Sequence, residues 1–443
     1  MFRYIISKDK GKVIMEKKKI IYISILIILI VCAICIIFGK NNTIEDYEEN
    51  NKEIKIEEIY ADLTDAYIYG THLNIEGKID LIDKNIEKLT LILANEEEQL
   101  EYNLKYEIKE SEILFTTCEY INKGIDLEKI SKEKYAFLVK FENASGKNKY
   151  YSFKTNDVKI EELEYYTISN NNKTNYITLK EMQNEKDIYF IISSKSMEMP
   201  ENIYDITIDA GHGGKSPGAV YKGYEEADIV LEYSVKLKEL LEKQGLKVAL
   251  TRNADVTTDE YGENGRAVLP NKLKSKFTFS IHLNSTATEI RNGVEIYAPS
   301  RADISFAKLL AKNIVEYANT TYSQNEIDKV YDGVYVRTFT KEDIEKSNED
   351  AKEDGYESYN ITEDTPYLFM IRETGGKITN SYVDGRNPEY PTNIYYNSSI
   401  GNESYLLELG YINSDIDLNN LLNNKYGYLR AMEQSILTLV NKI

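Results

Sequence analysis

Ile206-Thr-Ile-Asp-Ala-Gly-His-Gly-Gly214 decides how this chain is read. An alternating apolar run that stops in a glycine pair reads as a buried strand. Such a strand delivers one histidine to the carboxyl edge of a sheet, where open α/β folds keep their ligands. His212 is one of only three histidines in 443 residues. His282 closes a second apolar run, Phe277-Thr-Phe-Ser-Ile-His-Leu-Asn284, whereas His72 lies far upstream and reads as an ordinary half-buried strand residue. Two strand-end histidines point to a metal.

Outward from these strands, everything after Met199-Pro200 alternates strand and helix patterns, the signature of an α/β layer fold with a mostly parallel or mixed sheet flanked by helices. A helix is expected from Glu226 to Lys243, with Val230, Leu231, Leu237, Leu240 and Leu241 on its apolar stripe and Gly245 beyond its end. Strands follow at Val248-Ala-Leu250 and Gly293-Val-Glu-Ile-Tyr297, then a helix at about 303–317, ordered apolar runs at 367–371 and 405–409, and a last helix near 428–440. Residues 340–365 carry ten acidic side chains against three lysines, and so read as an exposed, mobile insertion, either a lid or partner-docking loop or a surface feature without a role.

Upstream, residues 58–198 show short alternating runs such as Ala66-Tyr-Ile-Tyr-Gly70, Leu89-Thr-Leu-Ile-Leu93 and Tyr135-Ala-Phe-Leu-Val-Lys-Phe141, which predict an all-β, sandwich-like domain. Residues 39–57 read as a linker and 20–38 as a transmembrane helix: 19 residues without a charge, about 28 Å of helix. Residues 1–40 hold seven Lys and one Arg against Asp9 and Glu16, net +6. That excess keeps a tail of residues 1–19 in the cytoplasm and the rest outside the membrane. Bulky Cys35-Ile-Ile-Phe38 lacks the small residues of a processing site, so an uncleaved anchor is expected.

The formal net charge of the whole chain is −19, which leaves −25 beyond residue 40 and excludes nucleic acid as a natural partner. Cys32 and Cys35 fall inside the apolar run and Cys118 stands alone, so the chain offers neither a disulfide framework nor a cysteine zinc site. The 37 tyrosines, with no tryptophan, are explained more simply by compositional bias than by sugar-binding platforms.

A catalytic zinc site takes three N or O ligands and leaves one position open. Glu225 and Glu226, at the start of the first helix, are candidate carboxylates for it, and both also suit a helix N-terminus electrostatically. Glu408 lies inside the apolar run Tyr405-Leu-Leu-Glu-Leu-Gly410, where an unpaired carboxylate is costly. It therefore sits at a sheet edge, in an ion pair or beside a cation.

Five motifs in order then resemble one family, the zinc-dependent N-acetylmuramoyl-L-alanine amidases of bacterial cell-wall turnover. They are Asp209-Ala-Gly-His-Gly-Gly214, Glu226-Ala-Asp-Ile-Val-Leu231, Arg266 with Asn271, Ser280-Ile-His-Leu-Asn284, and Glu408-Leu-Gly-Tyr411. The resemblance covers about 204–443. It implies zinc on His212, Glu226 and His282, Glu408 as general base and acid, and Asp209, Arg266, Asn271 and Asn284 as candidate substrate-binding or supporting residues. It also places Arg266 in a helix that Pro270 interrupts. The implied substrate is peptidoglycan, and a membrane-anchored enzyme facing the cell wall is the expected whole. A zinc peptidase acting on the stem peptide and a non-catalytic wall-binding scaffold are the alternatives, and a protein activator docking at about 340–365 is a further expectation. The stretch from Tyr297 to Tyr405 is long for the family.

Overall fold

The computed structural model describes residues 61–442 apart from 81–85, 96–97, 118, 132, 147, 155–161, 184–187, 288–290 and 383–392. The expected cytoplasmic tail, the span at 20–38 and the linker at 39–57 lie outside the described residues. No described helix is long and apolar enough to cross a membrane.

The downstream half is built on a seven-stranded sheet. Among the described residues its order is Val248–Leu250, Ile206–Ala210, Phe277–Asn284, Glu403–Tyr411, Glu295–Tyr297, Val334–Tyr335 and Lys329–Tyr331. The first four strands run parallel and Glu295–Tyr297 runs antiparallel to Glu403–Tyr411, so the sheet is mixed. Strand side chains alternate between faces, and here the two faces differ in kind. Ile206, Ile208, Phe279, Ile281, Tyr405 and Leu407 share one core with the helices Glu226–Lys243, Ser305–Ala318 and Lys425–Leu439. Their alternates form a polar face, on which Ser280 Oγ donates to Asp209 at 2.6 Å and Thr207 meets Ser275 at 2.8 Å. The short helix Phe369–Thr374 lies on this second face, with Thr374 Oγ1 2.6 Å from Ser404 Oγ.

Three sequence expectations change. Residues 340–365 are not a structureless insertion: Lys341–Glu353 is a helix opened by a reciprocal capping box between Thr340 and Asp343. Its Glu, Lys and Ala content favours the helix even though only Ala351 is buried. Arg266 lies in a turn rather than in a helix. The helix that follows is only Leu269–Lys272, with Pro270 in its first turn, where a missing N–H costs nothing. The last helix starts at Lys425 and is preceded by another, Asp415–Asn423, whose N-cap Ser414 accepts from the backbone of Asp417.

The described part of 61–198 is made of strands, with one 3-10 turn at Leu127–Lys129. Two antiparallel sets meet where Ala61–Asp62 pairs in parallel with Phe153–Lys154. Phe115, Phe137 and Phe153 pack edge to face between them, with centroids 6.1 and 6.2 Å apart. His72 lies in the strand His72–Asp80, where burial pushes its imidazole down to about 4.

This region docks under the amino edge of the seven-stranded sheet. Glu403, first residue of its strand, accepts from Asn122 Nδ2 at 2.7 Å, and Asn122 also holds both backbone groups of Asp303. Asp205, just before Ile206, accepts from Ser169 N at 2.9 Å. Ile400–Gly401 pairs in parallel with Ile68–Tyr69, so the chain leaves the upstream sheet directly into the Glu408 strand.

Replacing Asn122 by Ala removes a donor from a carboxylate that is 2% exposed. The expected loss of unfolding free energy, measured by denaturant titration, is about 1–3 kcal/mol; an unchanged midpoint would mean that this contact contributes nothing.

Candidate metal centre

His212 follows the strand Ile206–Ala210 with a left-handed backbone, φ +59°, a conformation uncommon for a residue with a side chain. Such backbone persists only where its surroundings enforce it, and here two buried arginines do so. Arg252 Nε donates to Ala210 O at 2.9 Å, and its Nη2 donates to Gly211 O and Ala227 O at 2.8 and 2.7 Å. Arg266 Nη2 donates to His212 O at 2.9 Å, while its Nη1 reaches Asp209 Oδ1 at 3.1 Å. Asp209 also accepts from Thr251 Oγ1 and Ser280 Oγ, so it ties three segments together beneath the histidine loop.

Glu226 opens the helix Glu226–Lys243 and is 3% exposed, whereas Glu225 is exposed in the hairpin before it. The carboxylate that turns inward is therefore Glu226. Its Oε1 lies 3.1 Å from His212 Nε2, 3.0 Å from His282 Nδ1 and 2.9 Å from the donating N–H of Leu283; its Oε2 accepts from Ala219 N at 3.0 Å. Burial alone would raise this carboxyl, but hydrogen bonds from the two histidines draw it well below the usual carboxylate range. The imidazole rings meet edge to face with centroids 4.9 Å apart.

Two glycines make this convergence sterically allowed. A Cβ at Gly211 would lie 2.4 Å from His282 Cε1, and one at Gly218 would lie 2.6 Å from Glu226 Oε2 and 2.7 Å from His212 Cδ2.

Glu408 is the register partner of His282 on one side and of Glu295 on the other. Its Oε2 is buried without a hydrogen-bond partner among the described residues. Burial, and then the charges of Glu226 and Glu295, push its carboxyl well above the usual range. Glu295 is fully buried but satisfied, accepting from Ser323 Oγ, Tyr411 OH and Tyr297 OH.

The ligand atoms of His212, Glu226 and His282 all lie within 4.8 Å of one another. Two imidazole nitrogens and one carboxylate oxygen, with both histidines half-exposed, fit a zinc ion that keeps an open position. Asp209 and Arg266 sit directly behind this group. Asn284 lies at the same strand end but turns its Oδ1 to Ser285 N, and Asn271 is elsewhere, bonded to Asn402 at the amino edge of the sheet. Sequence reading passed over Arg252 and Glu295. The signal for Arg252 was its place just after a strand end, in Thr251-Arg252; Glu295 was visible as a carboxylate in an apolar strand, as Glu408 was.

Comparison with known proteins places the chain in a family. A sequence profile of the N-acetylmuramoyl-L-alanine amidase family matches residues 206–344, which include the three converging side chains. The endolysin of Bacillus phage SPP1 is 40% identical over 82 residues, 18% of this chain and 29% of its own length, so the chain spans less than a third of that relative. The catalytic domain of CwlV, an N-acetylmuramoyl-L-alanine amidase from Bacillus (Paenibacillus) polymyxa var. colistinus, aligns with 54% of this chain and 99% of its own at 19% identity, with a TM-score of 0.35. A putative N-acetylmuramoyl-L-alanine amidase of Buchnera aphidicola subsp. Schizaphis graminum is 30% identical over 226 residues, 49% of this chain and 88% of its own length. Matched over most of that relative and carrying the profile across its histidine and glutamate cluster, the chain belongs to the N-acetylmuramoyl-L-alanine amidase family.

Proposed function

We propose that the chain is a zinc-dependent peptidoglycan hydrolase that cuts the amide between N-acetylmuramic acid and L-alanine. The observation that carries this reading is the convergence of His212, Glu226 and His282 beside Glu408, in a chain of this family. Bound at the three side chains, zinc would supply Lewis-acid polarisation of the scissile carbonyl and a lowered pKa for the attacking water. The two imidazoles converge on Glu226 Oε1, which places the three donors around one point, and the loop clamped by Arg252 and Arg266 keeps His212 aimed at it. Glu408 takes the proton of the attacking water on its unpartnered Oε2 and returns it to the leaving amine.

The membrane anchor belongs to the same proposal. The upstream region lies against the amino edge of the sheet and the metal centre at the carboxyl edge, so a chain tethered through residues 20–38 presents its cleft away from the region nearer the tether. A docking role for the helix Lys341–Glu353 toward an activating protein rests on its exposure and charge.

Incubating the full-length, zinc-loaded chain with peptidoglycan is expected to release stem peptides that begin at L-alanine, identified by mass, with a loss of at least a hundredfold in Glu408→Gln. Fragments cut inside the stem would select the peptidase reading, and no release from a folded, zinc-bound chain either alone or with cell-wall protein extract would sink the hydrolase. The same assay on a chain lacking 341–353 tests the docking role, which an unchanged rate and unchanged response to cell-wall protein extract would remove.

Gly211→Ala forces the His282 ring to move, so zinc retained after dialysis should reflect roughly 10–100-fold weaker binding at an unchanged circular dichroism spectrum. Wild-type zinc content in this variant would argue against the assigned ligands.

In cell fractionation, the full chain should pellet with membranes and resist high-salt washing, while a chain without residues 1–40 should not. A full chain washed off by salt would refute the anchor.

A further inference from the structure

Where the chain turns from the helix Phe369–Thr374 toward the upstream sheet, a cavity of about 170 Å³ opens between Asn360, Lys377, Asn380, Tyr382, Tyr396 and Asn397. Each of the eight lining residues carries a side-chain N–H or O–H, and none is a carboxylate. The single cation, Lys377, is already held by Asp65 at 2.8 Å, so the cavity presents no free charge of either sign. Asn380 Nδ2 is committed to Thr365 Oγ1 at 2.9 Å, and Ser381 Oγ to Glu373. The side chains of Asn360, Tyr396 and Asn397, by contrast, have no hydrogen-bond partner among the described residues. One wall is stiff: the Tyr382 ring packs on Tyr359 with centroids 4.7 Å apart, and the Arg372 guanidinium lies 4.3 Å from its centroid.

A ligand for such a site is uncharged and rich in hydroxyl or amide groups, and it has C–H surface to lay against the ring of Tyr396, because the Tyr382 ring is already packed by Tyr359 and Arg372. Carboxylate-bearing stem peptides do not match a cavity without a free cation. A sugar ring with an acetamido group does, because a side-chain amide can give an N–H to its carbonyl and take one from its nitrogen. The volume is below the roughly 300 Å³ at which drug-sized pockets begin, which allows one ring rather than a length of chain.

We propose that this cavity is a second glycan-binding site that takes an N-acetylated hexosamine unit of the peptidoglycan backbone, a reading that rests on the hydrolase function above. It is separate from the reacting centre. None of its lining residues belongs to the converging group, and its loops lead into the Glu408 strand at Glu403, five residues of strand, about 17 Å, before Glu408. The two sites together would hold a polymer at two points, which raises the apparent affinity for long strands without altering the chemistry.

The test is calorimetric titration of the full-length chain with a linear tetramer of N-acetylglucosamine, with cellotetraose as the counterpart lacking acetamido groups. The tetramer should bind with a millimolar or better Kd and cellotetraose clearly more weakly. The double variant Asn360→Ala/Asn397→Ala and the single variant Tyr396→Ala should each weaken tetramer binding about tenfold or more at an unchanged melting temperature. In turnover assays these variants should raise KM for polymeric peptidoglycan and leave the rate on a soluble muramoyl-peptide monomer unchanged. No tetramer binding by the wild-type chain, or equal binding by the variants, overturns the proposal. Glu408→Gln should bind the tetramer as the wild type does. Binding without any hydrolysis would thus leave the cavity assigned and remove the hydrolase reading, while hydrolysis without binding would do the reverse.

Discussion

One carboxylate oxygen, Glu226 Oε1, lies within hydrogen-bonding distance of two imidazole nitrogens, one from the loop after a strand and one from the neighbouring strand, and much of the local structure exists to allow it. A carboxylate this deeply buried costs several kcal/mol unless its charge is matched. The match requires the end of one strand, the next strand and the first turn of a helix to come closer than ordinary side chains permit. That is why glycine stands at 211 and 218, and why His212 accepts a left-handed backbone. Arg252 and Arg266 then fix the loop through its carbonyl oxygens, holding the geometry by groups that never reach the cleft.

The second constraint is the pleat. Because side chains alternate in direction, a strand with one face in the helical core must turn every second residue the other way, and in the central strands most of those residues are polar: Thr207, Asp209, Thr278, Ser280, His282, Ser404 and Glu408, with Leu406 an exception. This much is legible from the sequence: the apolar alternation predicts the strands, and a histidine or glutamate inside an apolar run stands out as a cost that needs a reason. The α/β order and the approximate helix ends can be read the same way.

What stays hidden is set by register and by tertiary contact. That Glu408 has Glu295 on one side and His282 on the other follows from strand order and pairing, which no single strand encodes. A buried arginine is spelled like a surface one, so Arg252 gives no sign that it serves three carbonyls. Composition misleads at 340–365, where acidity reads as disorder but a capping box and good helix formers yield Lys341–Glu353. Asn271 and Arg266 lie five residues apart in one expected helix, yet a turn ahead of Pro270 sends one to the amino edge and the other to the histidine loop.

The docking of the two halves is likewise invisible in the sequence, whose pattern changes at about residue 199 as though two separable units met there. The contacts say otherwise. Glu403, Asp205 and Lys276 are almost fully buried at the amino edge of the sheet, and the upstream loop residues Asn122 and Ser169 donate to Glu403 and Asp205. Buried polar contacts of this kind add little net stability, but a wrong docking would leave them unpaired, so they select one arrangement. Because Ile400–Gly401 extends the upstream sheet and runs straight on into the strand of Glu408, that arrangement also fixes where the strand begins. The upstream half is therefore part of what holds the Glu408 strand in register, and the edge it occupies is the one the metal centre does not need.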